Sequence, residues 1–233
     1  MNVTEKTLGV LEFVIVSPKL NPYTLETKEL KSFWLNHWGV TFEKSGSPDE
    51  TWKQHFDEQD LVVGLRSDGV FISCHLYTFY DLNSSSIFET EYFSYFRPET
   101  IGAMRFRKLV KVMTLEYLGV SPSFTRNREK ISVGKLMAVL CTYVAEVLGK
   151  DAVIGTPISS TKVEEMMTNV GGVTLEREIK KYGYELCFGY MPTQPRVLSS
   201  EIYLRDLAEG IWASRKDLSL MTRDESVSRV KSA

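Results

Sequence analysis

A strand, a basic loop and the start of a helix follow one another between Met113 and Leu140, and this order is the strongest constraint on the fold. An apolar segment ends at Val120-Ser121-Pro122, and the positively charged loop 126–130 then leads into a strongly patterned helix. Backbone N–H groups at a helix N-terminus, helped by the helix dipole, bind anions. The segment therefore predicts a phosphate-binding loop.

The helix after this loop has the most regular pattern in the sequence, and Gly149 is predicted to end it. Its apolar residues recur at helical spacing and are Val133, Leu136, Met137, Leu140, Val144, Val147 and Leu148. A short apolar strand follows at 152–155. Because a strand, a helix and a strand in this order form a crossover, the strands at about 110–120 and 152–155 are predicted to be parallel neighbours.

The remaining elements predict a mixed α/β chain. Apolar segments predict strands at 9–16, 61–65, 70–80, 173–179 and 184–190, and Asp68-Gly69 predicts a hairpin turn between the second and third of these. Helical periodicity predicts helices at 24–38, with a stop at Gly39, at 161–170, with a Thr161/Glu164 capping box, and at 201–212. We expect one domain over 1–191 and a C-terminal helical extension with a polar tail over 192–233.

The charge, the apolar content and the cysteines of the sequence limit the functions that this chain can have. A net charge of −2 argues against nucleic acid as a partner. The sequence has no apolar run of the length that a membrane span needs and no leader-like N-terminus, so we expect a cytoplasmic protein. The three cysteines are far apart in apolar segments, without zinc spacing. We therefore expect buried thiols and no metal.

Three segments resemble the GNAT superfamily, the Gcn5-related N-acetyltransferases. Leu118–Phe124 resembles that family's strand ending in a Val-x-Pro-x-aromatic step, and Arg126–Met137 resembles its pyrophosphate loop and following helix. The strand at 152–155, the helix at 161–170 and Gly171-Gly172 resemble its next strand and helix. The resemblance implies a central twisted sheet flanked by helices, with a parallel strand pair at an acyl-CoA cleft.

The resemblance also implies a reaction, in which an acyl group passes from acetyl-CoA or another acyl-CoA to an amine by direct attack. The donor-binding residues it implies are Leu118, Val120, Arg126, Asn127, Arg128, Lys130, Ser132, Val133, Gly134 and Lys135. If even positions of the strand face the cleft, Thr114, Glu116 and Leu118 share one side. Glu116 can then accept a proton from the attacking nitrogen, and Thr114 and Glu116 are the catalytic candidates.

The loop departs from the family pattern, and the departures leave other functions open. Ser132 replaces the middle glycine, although its hydroxyl can itself bind phosphate, and Met167 or Thr168 stands where the family often has a general-acid Tyr. One alternative is a long-chain N-acyltransferase that uses acyl carrier protein, like the autoinducer synthases. Another is a non-catalytic CoA-binding regulatory module. We expect a small-molecule or peptide amine as the acceptor, and the 201–212 helix can cap its site or mediate a homodimer.

Two further features stay open at this level. His75 alternates with Tyr77 and Phe79 along one face of a strand and is either a substrate contact or a half-buried strand histidine. The aromatic segment 87–96 either lines an acyl or acceptor pocket or packs under the sheet.

Overall fold

The computed structural model describes residues 7–45, 50–125, 130–181, 183–193 and 202–220. Its strands are β1 (Leu11–Val16), β2 (Leu61–Ser67), β3 (Val70–Tyr77), β4 (Phe79–Asp81), β5 (Lys111–Val120), β6 (Ala152–Gly155), β7 (Val173–Lys181), β8 (Tyr184–Pro192) and β9 (Lys216–Leu218). Its α-helices are α1 (Leu25–Ser45), α2 (Pro98–Phe106), α3 (Val133–Val147), α4 (Val163–Asn169) and α5 (Ile202–Ala213). Short 3₁₀ helices lie at Glu50–Gln54, Ile87–Glu89 and Pro122–Phe124.

The described residues form two compact units, and the first comprises 7–45, 50–77, 116–125, 130–140 and 202–220. Its strands follow the order β9-β1-β2-β3-β5, with β9 parallel to β1 and the other pairs antiparallel. Asp68 and Gly69 have φ values of 50° and 80°, as a tight two-residue hairpin turn requires. Helix α1 covers one face of this sheet with Leu30 and Trp34, which are fully buried.

The second unit comprises 78–115, 141–181 and 183–193 and contains the predicted parallel pair. Val112–Leu115 of β5 pair in parallel with Ala152–Gly155 of β6, while β4 and β8 add antiparallel partners. Its core is rich in aromatic residues, among them Tyr92, Phe93 and Phe96. The Phe96 and Phe188 ring centroids lie 4.5 Å apart. The segment 87–96 thus supplies core packing.

Parallel and antiparallel pairs occur in both units, which confirms the mixed α/β fold with helices beside the sheet strands. The predicted stop of α1 at Gly39 is wrong, because the helix continues to Ser45. Phe42, in the added turns, stacks on Trp52 with ring centroids 4.7 Å apart, and this packing outweighs the low helix propensity of one glycine.

Two smaller features of the fold differ from the sequence prediction. The capping box does not form, because the Glu164 carboxylate accepts hydrogen bonds from Thr174 Oγ1 and Arg177 Nη1. Strand β9 is three residues long, too short for an alternating pattern to appear in the sequence.

The three cysteines are buried free thiols, as expected. No helix among the described residues combines the length and the apolar character that crossing a bilayer requires.

The core under α1 gives a stability test with a matched control. Leu30→Ala removes a fully buried side chain of α1, so we expect the free energy of unfolding to fall by about 2–5 kcal/mol. Leu25→Ala changes the same residue type in the same helix where 65% of it is exposed, and should cost less than about 0.5 kcal/mol. Urea unfolding followed by tryptophan fluorescence measures both, and equal losses would contradict this packing.

Candidate active site

A β-bulge in β5 is the central feature of the candidate site in the first unit. Cys74 of β3 pairs with Gly119, but Leu76 of β3 pairs with Glu116, so β5 has one extra residue between these two pairs. Tyr117 lies in this stretch with a φ of 54°. The left-handed region costs a non-glycine residue about 1–2 kcal/mol, and bulges re-aim side chains beside active sites.

The bulge changes which side chains share a face of the sheet. Cys74 and Leu76 both belong to the core under α1, and directly paired residues point to the same side of an antiparallel sheet. Glu116 and Gly119 therefore face α1, and the Tyr117 ring packs against the same core. The expectation that Glu116 and Leu118 share one side is wrong, because the extra residue breaks the alternation between them.

Tyr117 is held through both its backbone and its side chain. Its carbonyl oxygen accepts a hydrogen bond from Trp38 Nε1 at 3.1 Å, and its hydroxyl oxygen lies 2.5 Å from Nδ1 of His55. The rings of Trp34 and Trp38 meet it edge-on, with centroids 5.5 and 5.3 Å away. Sequence reasoning missed Tyr117 and His55, because His55 lies in a polar segment far along the chain from β5.

Gly119 fixes the other end of the bulge. Ser73 Oγ donates a hydrogen bond to its carbonyl oxygen at 2.7 Å. A Cβ atom at Gly119 would lie 3.0 Å from Cδ2 of His37, so the imidazole rests against the glycine. Burial lowers the pKa of His37, which keeps this ring neutral at physiological pH. Glu116 itself is half-buried.

The start of α3 is the second part of the candidate site, also in the first unit. Ser132 Oγ accepts a hydrogen bond from the Lys135 N–H at 3.3 Å, which makes Ser132 the N-cap of α3. The hydroxyl proposed for phosphate thus caps the helix. The Val133 side chain is buried and Lys130 is exposed, and backbone N–H groups at a helix N-terminus point towards any anion that binds there. Arg126, Asn127 and Arg128 lie outside the described residues.

Thr114 lies in the second unit, where it is fully buried. Its hydroxyl oxygen accepts a hydrogen bond from the Thr78 N–H at 2.8 Å, and its own N–H donates to the Thr78 carbonyl at 2.9 Å. These two hydrogen bonds hold the backbone at Thr78, which lies between the end of β3 and the start of β4. The parallel ladder between β5 and β6 ends one residue later, at Leu115 and Gly155.

Leu118 and Val120, which were predicted to lie near the thioester, are half-buried residues of β5 in the first unit. His75, by contrast, is completely buried rather than half-buried. Its Nδ1 lies 3.2 Å from the Tyr77 hydroxyl, and burial lowers its pKa to about 3. These contacts make His75 a core residue.

Solved N-acyltransferases share this fold. The CoA-dependent acyl-homoserine lactone synthase BjaI is similar with a TM-score of 0.61 and 12% identity, over 94% of this chain and 98% of that chain. The N-acyl amino acid synthase FeeM from uncultured soil microbes has a TM-score of 0.54 and 11% identity, over 79% and 90%. The polyamine N-acetyltransferase of Drosophila melanogaster has a TM-score of 0.53 and 14% identity, over 77% and 98%.

At these identities the likeness concerns the fold, and it confirms the GNAT resemblance at that level. No protein-family model matches the chain, and no curated protein matches it by sequence.

The contact between Gly119 and His37 can be tested by substitution. In Gly119→Ala the new methyl group would press on an imidazole that already packs against Phe33 and Trp38, so we expect a loss of about 1–3 kcal/mol in the free energy of unfolding. Gly102→Ala in α2 meets open space and should instead gain up to about 1 kcal/mol. Chemical denaturation distinguishes them, and a neutral Gly119→Ala would contradict the contact.

The buried His75 predicts a pH dependence of stability. An unfolded histidine has a pKa of about 6.5, whereas the native value is about 3, so the unfolded state binds one more proton between these values. The free energy of unfolding is therefore not reduced by His75 above pH ~6.5. Below that pH it falls by about 1.4 kcal/mol per pH unit as the pH drops towards 3. His75→Gln should therefore show a shallower loss between pH 6 and pH 4. Parallel slopes of the two proteins would refute this prediction.

Proposed function

We propose that the chain is an N-acyltransferase that moves an acyl group from an acyl-CoA to an amine acceptor. The main observation behind this proposal is the β5 bulge at Glu116–Gly119. The bulge lies in the same unit as the capped N-terminus of α3, and the chain has the fold of N-acyltransferases. A bulge frees backbone groups and re-aims side chains, and a helix N-terminus binds anions. An acyl-CoA donor contains a thioester and a pyrophosphate, so the bulge can serve the thioester and the helix N-terminus can serve the pyrophosphate.

The donor would be held by backbone groups and by the basic loop. The N–H groups of Val133 and Gly134 would receive the pyrophosphate, with Arg126, Asn127, Arg128, Lys130 and Lys135 adding charge or hydrogen bonds. The pantetheine arm would pair with the edge of β5 beyond Leu115. The thioester would then lie near Leu118 and Val120, where a strand N–H can polarise its carbonyl.

Glu116 would serve as the base for the acceptor, directly or through a water molecule. The nitrogen attacks the thioester carbon, the carbon–sulfur bond breaks, and CoA leaves as the thiol. Thr114 would contribute by holding the strand that carries Glu116, because its hydroxyl is bonded to Thr78.

A second candidate is an acyltransferase of the autoinducer-synthase type with a donor longer than acetyl-CoA. The likeness to BjaI extends over 94% of this chain, against 77–79% for FeeM and the polyamine acetyltransferase. This wider coverage supports a fold plan shared with that synthase. BjaI was solved with SAM and isopentyl-CoA, and acyl carrier protein is the other donor to compare.

A thiol-release assay tests the proposal. The protein is mixed with acetyl-CoA, isopentyl-CoA or an acyl carrier protein thioester and with a panel of amines, and free thiol and amide product are measured together. We expect amine-dependent release with one amide formed for each thiol. Tight CoA binding without release from any donor would favour the non-catalytic module instead.

The donor site can be tested by removing the loop charges. Replacing Arg126, Arg128 and Lys130 together by Ala should raise the Michaelis constant for acyl-CoA at least about tenfold, or ~1.4 kcal/mol of binding. The same variant should treat acyl-pantetheine, which has no adenosine diphosphate, like the unchanged protein. Steady-state kinetics with both donors measures these Michaelis constants. An unchanged constant for acyl-CoA would mean that the donor does not bind at this loop.

A further inference from the structure

Residues 105–108, the Phe106 turn, lead the chain out of α2 and present an exposed aromatic ring among basic side chains. Phe106 is 89% exposed, the largest exposed fraction of any large apolar residue that the structure describes. The run from Arg105 to Lys111 contains four cations and no acidic residue. Arg107 and Lys108, directly after Phe106, are exposed. A protruding ring in the second unit is therefore flanked by positive charge.

The backbone of the Phe106 turn is fixed by hydrogen bonds. The Leu109 N–H donates to the Met104 carbonyl oxygen at 3.0 Å, and the Lys108 N–H donates to the Arg105 carbonyl oxygen at 2.8 Å. These two bonds close a Schellman motif, in which Lys108 has a φ of 60° where glycine is usual. Met104 is buried in the aromatic core and Leu109 packs against it, whereas Phe106 stays outside.

The four cations of this run have no ion pair within the part of the chain that the structure describes. Arg105 Nε and Arg107 Nη1 donate to backbone carbonyl oxygens at 2.7 and 3.0 Å, so both guanidinium groups bind neutral partners. Two carboxylates lie beside the run. Asp81 pairs with Lys111 across β4 and β5, and the Asp151 carboxylate accepts two backbone N–H groups there. Four cations against two carboxylates leave the turn positively charged.

We propose that the Phe106 turn is a peripheral contact with an anionic membrane surface. The Phe106 ring would insert at the level of the lipid headgroups, and Arg107 and Lys108 would meet the lipid phosphates. Such a contact is shallow and reversible, and it needs no helix that spans the bilayer. The inference goes beyond the proposed acyltransferase function and does not rest on it.

The make-up of the Phe106 turn favours a lipid surface over a macromolecular partner. A stable protein interface buries about 800 Å² on each partner around aromatic and apolar anchors, whereas this turn offers one ring. Nucleic acid is bound by a broad basic face, and the whole chain has a net charge of −2. A lipid surface requires only a shallow apolar insertion and local positive charge, and the turn provides both.

Co-sedimentation of the full chain with lipid vesicles tests this contact. We expect binding to vesicles of phosphatidylglycerol and phosphatidylcholine in equal parts, and about 25-fold weaker binding to phosphatidylcholine alone. Phe106→Ser should weaken binding to the anionic vesicles about tenfold. Arg107→Gln combined with Lys108→Gln should weaken it about 25-fold, roughly fivefold for each charge. Tyr23→Ser and Lys28→Gln, at exposed residues of the first unit, are the matched controls and should bind like the unchanged protein.

Several results would overturn this inference. One is the absence of binding to the anionic vesicles, and another is binding that both Phe106→Ser and the Arg107/Lys108 variant retain. Binding to poly-glutamate or to a DNA duplex in place of vesicles would assign the turn to an acidic protein or to nucleic acid instead. Thiol release in buffer without vesicles measures the acyltransferase function separately, so a failure of that function would leave the membrane contact standing.

Discussion

The pairing of β3 with β5, with one extra residue on β5, is the interaction on which the candidate site depends. Ser73 binds the Gly119 carbonyl and Trp38 binds the Tyr117 carbonyl, so the register is fixed from a neighbouring strand and from a helix. Because the extra residue lies between Glu116 and Gly119, it decides which side chains of β5 face α1. The placement of the proposed base, Glu116, follows from that register.

The aromatic core of the first unit connects this register to the rest of that unit. Trp34 and Trp38 of α1 meet the Tyr117 ring, and Trp34 also packs against Trp52 and Phe56 beside the segment that carries His55. Burial of these rings supplies hydrophobic stabilisation roughly in proportion to the apolar area removed from water. The same packing therefore stabilises the sheet and brings His55 to the strand.

Local signals in the sequence were sufficient for much of the fold. The apolar periodicity of α3 and the Asp68-Gly69 turn depend on residues close in the chain, and both were predicted correctly. The bulge was not predicted, because it depends on how β5 pairs with β3, and the alternation of β5 alone contains no trace of it. The contact between His55 and Tyr117 joins distant segments and has no local pattern, and the end of α1 is set by the stacking of Phe42 on Trp52.

The most direct test of the central claim is an experimental structure with a non-transferable acyl-CoA analogue bound. In that structure the pyrophosphate oxygens should contact the Val133 and Gly134 N–H groups. The acyl carbonyl should lie within hydrogen-bonding distance of the β5 backbone between Leu118 and Val120. An analogue bound away from β5 and the start of α3, or a β5 strand without the bulge, would contradict it.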